Sequence, residues 1–218
     1  MSKSTLKFLG RSSGFGLKNN SAYYEDGNRL VLIDCGLTVF NTVRETVDLS
    51  KYETIDIIIT HLHPDHAGSL GQLLMYLGYV LKKKANVISK CKNIKNYLDI
   101  VGVDPALYML TYSPNISFIE TIHAPELDSY GFKAKMGDNL IVYTGDTSTL
   151  QPFKEHLKDA DEFYVDVSKF GGVHLKIDNV FEELISIQNK GVKVYLMHLD
   201  DEEYISNLVQ DRIEFAQF

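Results

Sequence analysis

Apolar and alternating runs divide the first third of the chain into short strands. Residues 5–9, 21–25 and 30–33 read this way. The Gly-, Ser- and Asn-rich stretch 10–20 separates the first two. Glu25-Asp26-Gly27-Asn28 separates the next two and is a hairpin signal. Val39, Val43, Val47 and Leu49 then recur at near-helical spacing. Residues 55–60 form a continuous β-branched run, the pattern of a strand buried on both faces, and run straight into His61. Leu70, Leu73, Leu74, Leu77 and Leu81 form an apolar stripe that predicts a helix over 69–81. It ends in Lys82-Lys83-Lys84, where cations favour a helix C-terminus.

The second half repeats the style. Residues 116–120, 130–135, 140–144, 163–167 and 193–197 read as strands, and 178–190 and 202–215 as helices. Asp178 is the expected N-cap of the first of these helices, and Gly191 follows it. Strands followed by helices, twice over, predict an α/β sandwich rather than a closed barrel. No repeat or linker interrupts the pattern, so residues 1–218 are read as one domain.

Apolar residues make up 44% and charged residues 23%, which excludes wholesale disorder. The net charge of −7 argues against holding nucleic acid by bulk electrostatics. That charge is lopsided. Residues 1–119 carry 13 basic and 10 acidic side chains, residues 120–218 carry 9 and 19. Bound cations can neutralise part of such an acidic half. With only Cys35 and Cys91, far apart, a disulfide framework is not expected and a reducing cytoplasm fits best. No segment has the apolar length of a signal peptide or a membrane span, so no membrane association is expected.

Three of the seven histidines crowd into Thr60-His61-Leu62-His63-Pro64-Asp65-His66, directly after a predicted buried strand. With this composition, H-x-H-x-D-H arises by chance roughly once in two thousand such sequences, so a metal site is the better explanation than a His-rich loop. Two histidines at i and i+2 can chelate one cation, and Asp65 and His66 can reach a second beside it. Imidazole and carboxylate suit zinc and neighbouring transition metals. Pro64 stiffens the loop. Three further candidate ligands follow predicted strands: His123, Asp146 in Gly145-Asp146-Thr147, and His198.

The motif identifies the chain as resembling the metallo-β-lactamase-fold hydrolases along nearly its whole length. Val31-Leu32-Ile33-Asp34-Cys35-Gly36 resembles that family's early strand and turn, whose Asp supports the metal site from behind. The resemblance implies a four-layer αβ/βα sandwich with two divalent metal ions at one edge, zinc first, manganese or iron as alternatives. It implies that His61, His63 and His123 hold one metal, that Asp65, His66 and His198 hold the other, and that Asp146 bridges them. The β-lactamase branch has Cys near position 146. Asp in this place is similar to the glyoxalase, ribonuclease Z and phosphodiesterase branches.

Gly171-Gly172-Val173-His174, 24 residues before His198, resembles the extra histidine that the ribonuclease Z branch keeps at the scissile phosphate. Phe8-Leu9-Gly10-Arg11-Ser12-Ser13-Gly14 and Tyr130-Gly131-Phe132 are further likenesses to that branch. His156, in a charged helical stretch, is given no role. Ribonuclease Z enzymes carry a long basic arm that grips tRNA. Apart from the 116–120 strand, the stretch between His66 and His123 reads only as helices with Lys82–Lys84, Lys90, Lys92 and Lys95. The expectation is therefore a binuclear hydrolase acting on a small phosphodiester, such as a cyclic nucleotide, through a metal-bridging hydroxide. Asp65 and His174 are its catalytic residues, and His174 or a metal-bound water is the proton donor to the leaving oxygen. The alternatives are a tRNA 3′-end endonuclease and a thioester or lactone hydrolase. A homodimer is implied by resemblance alone.

Overall fold

The computed structural model of the chain describes residues 4–218. The first half runs β1 (Lys7–Gly10), β2 (Ser21–Asp26), β3 (Arg29–Ile33), α1 (Val39–Thr46), β4 (Thr54–Ile59), α2 (Pro64–Ala67), α3 (Leu70–Met75), β5 (Ala85–Ser89), α4 (Ile94–Ile100) and β6 (Tyr108–Thr111). The second half runs β7 (Ile116–Glu120), β8 (Tyr130–Met136), β9 (Asn139–Tyr143), β10 (Glu162–Asp166), α5 (Ile177–Gln188), β11 (Lys193–Met197), α6 (Glu202–Val209) and β12 (Glu214–Phe215). They form two six-stranded sheets, β1-β2-β3-β4-β5-β6 and β12-β11-β10-β9-β8-β7. Each sheet opens with antiparallel strands and continues in parallel ones.

The period-two alternation of a strand explains the layering. In β3, Leu30 and Leu32 pack beneath α1 and α3, while Val31 and Ile33 face the other sheet. In β4, Ile57 and Ile59 take the helix side and Ile58 the sheet side. In β10 and β11, Phe163, Val165, Val194 and Leu196 pack against α5 and α6. Tyr164, Tyr195 and Met197 point inward. The central layer holds an aromatic stack among aliphatic side chains: Phe8 stacks on Tyr164 at 5.7 Å and Tyr164 on Tyr195 at 5.1 Å. Both faces of the inner strands are buried, which is why those runs are mostly apolar; the buried Asp56 in β4 is paired with Arg29. The result is helix, sheet, sheet, helix, the expected sandwich. No helix of the described residues is long and apolar enough to cross a membrane.

Several expectations need correction. The stretch between His66 and His123 contains two strands, β5 and β6, beyond β7. β5 is short, and β6 is an edge strand with three of its four side chains exposed, so neither carries a clear alternation. The helix expected over 202–215 stops at Val209, because Gln210 and Asp211 both adopt left-handed backbone. The chain then turns Ile213 and Ala216 into the core and pairs β12 in parallel with β11. Asp178 is not the N-cap of α5: Lys176 occupies that position, and Asp178 lies in the first turn, accepting from the Tyr204 hydroxyl at 2.7 Å. The 69–81 helix is α-helical only to Met75 and continues as a π-helical turn, Tyr76–Val80.

An ion cluster joins the β2–β3 hairpin to the neighbouring chain. Glu25 accepts from Lys7 Nζ at 2.5 Å, from Lys51 Nζ at 2.9 Å and from the Tyr52 hydroxyl. The Lys7 contact, with help from Tyr52 and Lys51, pulls the Glu25 carboxyl down to about 2. Its stabilisation is therefore complete above the ordinary carboxylate range and is lost as pH falls through about 2. Both lysines are partly exposed, so solvent screens the cluster. Glu25→Gln is expected to cost about 1 kcal/mol at pH 7, with the gap to the parent protein narrowing below pH 4. Urea titrations of both proteins at pH 7 and pH 3 check this.

Candidate metal centre

The carboxyl ends of β3, β4, β9, β10 and β11 lie along one edge of the two sheets, and each is followed by a polar side chain of the site. β4 delivers Thr60 and His61. His63 is extended, Pro64 opens the single-turn helix α2, and that turn brings Asp65 and His66 back to the same spot. The β3–α1 loop closes over it: Cys35 N–H donates to the His66 carbonyl and Leu37 N–H to the Pro64 carbonyl. A Cβ on Gly36 would lie 1.9 Å from the Asp65 carbonyl, so only glycine passes there. After β9, Gly145 turns through φ +58°, with the Tyr130 carbonyl 2.6 Å from where a Cβ would stand. Asp146 then enters the centre.

All seven expected ligands come together, in two groups. In the first, His61 Nε2 and His123 Nε2 each lie 3.1 Å from His63 Nδ1, and both lie 3.6–3.7 Å from Asp146 Oδ2. In the second, His66 Nε2 lies 3.2 Å from Asp65 Oδ2, 3.2 Å from Asp146 Oδ1 and 3.3 Å from His198 Nε2. His198 Nε2 in turn lies 3.1 Å from Asp65 Oδ2. Asp146 belongs to both groups. Tetrahedral zinc with Zn–N near 2.0–2.1 Å separates its ligands by roughly 3.3–3.4 Å. The donor spacing matches. Asp146 Oδ1 is buried without a hydrogen-bond partner. The residues therefore fit two cations sharing one carboxylate.

The electrostatics agree. Burial, then the neighbouring His66 charge, pushes His61 well below its ordinary value. Burial also opposes charge on His66 and His198, but carboxylates outweigh it. Asp146 and Asp34 raise His66 strongly, and Asp146, Asp166 and Asp65 take His198 up to about 10. The centre thus demands positive charge, which protons on imidazole or metal cations can supply.

Asp34, expected behind the site, is there. It is buried, with φ +59°, and accepts from Thr60 N–H at 2.8 Å and from His66 Nδ1–H at 2.8 Å. The second bond fixes the His66 tautomer, leaving Nε2 free to ligate. His198 also has left-handed backbone, φ +58°. Two of the five described non-glycine residues with positive φ thus stand in the centre.

His174 stands at the mouth of the centre, 23% exposed where the two donor groups are mostly buried, in a loop turned by Gly171 and Gly172 at positive φ. Its Nδ1–H donates to Asp166 Oδ2 at 2.9 Å, and its ring stacks on His198 at 5.0 Å. Asp166 is the residue that sequence reasoning missed. It ends β10, is fully buried, accepts from Thr147 N–H at 3.1 Å and lies 3.3 Å from His198 Nδ1. An acid directly after the apolar run Phe163-Tyr164-Val165 was the available signal. His156 joins no donor group among the described residues. Cys35 and Cys91 are both free and buried.

Asp34→Asn replaces a carboxylate acceptor with an amide. It is expected to weaken zinc binding by about 10–100-fold while leaving the fold intact. Competition titration against a zinc chelator, with circular dichroism as the fold control, checks this.

Similarity to known proteins matches this geometry. The model of the family described as Anti-Pycsar protein Apyc1 matches residues 4–92. The Anti-Pycsar protein Apyc1 of Bacillus phage 010DV004 is 27% identical over 90% of this chain and 89% of its own. Bacillus subtilis YhfI, described as a probable metallo-hydrolase, is 24% identical over 77% of this chain and 76% of its own. Its crystal structure, a metallo-β-lactamase fold, superposes with a TM-score of 0.77, covering 98% of this chain and 97% of that one at 20% identity. A diphosphatase of the PhnP family superposes with a TM-score of 0.72 at 18% identity, covering 97% and 94%. With its two stacked sheets, its edge of strand-end donors and these neighbours, the chain has the metallo-β-lactamase fold.

Proposed function

We propose that the protein, read as one domain over residues 1–218, is a binuclear phosphodiesterase acting on a small phosphodiester such as a cyclic nucleotide. The observation that carries this reading is Asp146. One buried carboxylate faces two groups of three donors, with Oδ1 toward His66 and Oδ2 toward His61 and His123. A thiolate at this position offers a single donor atom. His61, His63 and His123 would hold one cation, and Asp65, His66 and His198 the other, zinc first and manganese or iron as alternatives. When bound, such a pair supplies a water activated at neutral pH and positive charge for the phosphoryl oxygens.

The chain's own groups supply the rest. Asp65, expected among the catalytic residues, brings Oδ2 to 3.1 Å from His198 Nε2 and 3.2 Å from His66 Nε2, so the three would share one cation. Burial opposes charge on His174, yet Asp166 raises its pKa, which favours the protonated imidazole, the form that can donate a proton to a leaving oxygen. Free thiols at Cys35 and Cys91 suit a reducing compartment.

The tRNA endonuclease alternative is less well supported, because four of the six lysines it would use already have partners. Lys92 pairs with Asp128 and Lys95 with Asp99. Lys83 donates to the Ser50 carbonyl, and Lys90 lies over Tyr112. A second reading of His174 has one observation in its favour. With Asp146, Asp166 and His198 it forms a third group of converging donors, so it could be a ligand.

A substrate panel on zinc-reconstituted protein tests the activity. Bis-p-nitrophenyl phosphate and cyclic nucleotides are expected to turn over faster than a tRNA precursor, a thioester or a β-lactam. Faster β-lactam or thioester turnover overturns the reading.

His174→Ala is expected to keep its metal. It should lose roughly two or more orders of magnitude in kcat on a substrate with a poor leaving group, and less with p-nitrophenolate. Metal analysis beside the kinetics separates the two roles, since loss of metal would make His174 a ligand.

A further inference from the structure

We infer that Asn20 is a positioning residue for His198, and through it for one of the two donor groups. The inference rests on the reading of Asp65, His66, Asp146 and His198 as metal ligands. Asn20 ends the Gly-, Ser- and Asn-rich stretch between β1 and β2, which its composition marks only as a turn. Yet it is buried to 1%, deeper than a turn residue needs to be.

Its carboxamide is used at both ends. Oδ1 accepts from the backbone N–H of His198 at 3.3 Å, and Nδ2 donates to Tyr143 Oη at 2.7 Å. Tyr143 closes β9, three residues before Asp146. His198 directly follows β11. Between those strands lies β10. The side chain of Asn20 therefore spans β10 and ties the strand that delivers Asp146 to the strand that delivers His198. No backbone pairing makes that connection.

His198 needs such a tie. Its backbone is left-handed, a conformation that strains a residue with a Cβ and persists only where the surroundings determine it. On its far side the chain is already fixed: Leu199 N–H donates to the Arg11 carbonyl, and Ser13 N–H to the Leu199 carbonyl. Asn20 fixes the near side. Residues 11–20, from the first half of the chain, thus clamp a ligand of the second half on both flanks. Without the Asn20 acceptor, the His198 N–H is buried and unpaired. The strained backbone can then relax, and Nε2 swings away from Asp65 and Asp146.

The test is zinc titration of the purified protein, read as equivalents bound and the affinity of each. The parent protein is expected to bind two equivalents. Asn20→Leu, similar in volume but with neither acceptor nor donor, is expected to bind one tightly and the second at least tenfold more weakly, within the roughly 10–100-fold range for groups that orient ligands. Asn20→Asp keeps an acceptor for His198 and a partner for Tyr143. It is expected to restore the second affinity to within about threefold of the parent. If Asn20→Leu does not fold, Asn20→Ser is read the same way, because its hydroxyl is too short to reach His198 N–H.

Two tight equivalents in Asn20→Leu or Asn20→Ser, whatever their thermal stability, would overturn the inference and leave Asn20 a packing residue. So would an Asn20→Asp protein as impaired as Asn20→Leu. A parent protein binding less than one equivalent would overturn the ligand assignment itself, and the inference with it.

Discussion

Asp146 is a carboxylate buried among imidazoles, and a buried charge of that kind persists only if positive charge stands beside it. The rest of the centre follows from this need. His61 and His123 face one of its oxygens and His66 the other, while His198 and Asp65 complete the second group. Burial alone would strip the protons from His61, His66 and His198. The carboxylates hold them on His66 and His198 and not on His61.

The sheets make that concentration of charge affordable by keeping it at an edge. Their inner strands are apolar on both faces and fill the space between helices and partner sheet, leaving only the strand ends for polar groups. Each ligand leaves its strand through a constrained step: the single helical turn after His63, the left-handed Gly145, the left-handed His198. A second ring of contacts keeps the first from relaxing. Asp34 holds His66, Asp166 holds His174 and faces His198, and Asn20 holds the backbone of His198.

Much of this was legible in the residues. The β-branched run before His61 marked the central strand, because a strand covered on both faces has no polar position to spare. The density of donors in His61–His66 marked a metal site, because four ligating side chains in six residues have no common structural use. Asp34 and Gly36 were readable through family resemblance. The strands β5 and β6 were not readable, one being short and the other an exposed edge. The end of α6 was hidden as well: neither Gln210 nor Asp211 announces a left-handed turn as glycine would.

The amino-acid order by itself determined the alternation that builds two-faced strands and the local spacing that lets His61, His63, Asp65 and His66 converge, since both depend on residues only a few positions apart. Tertiary structure alone decided that Asp146 sits between two donor groups, that Asp166 reaches both His174 and His198, and that Asn20 meets a backbone amide 178 residues away. Those contacts join segments distant in the sequence, and the Asn20 and Asp146 contacts join opposite halves of the chain. They exist only because the two sheets stack with their carboxyl ends along one edge, and no local pattern records which strand ends will meet there.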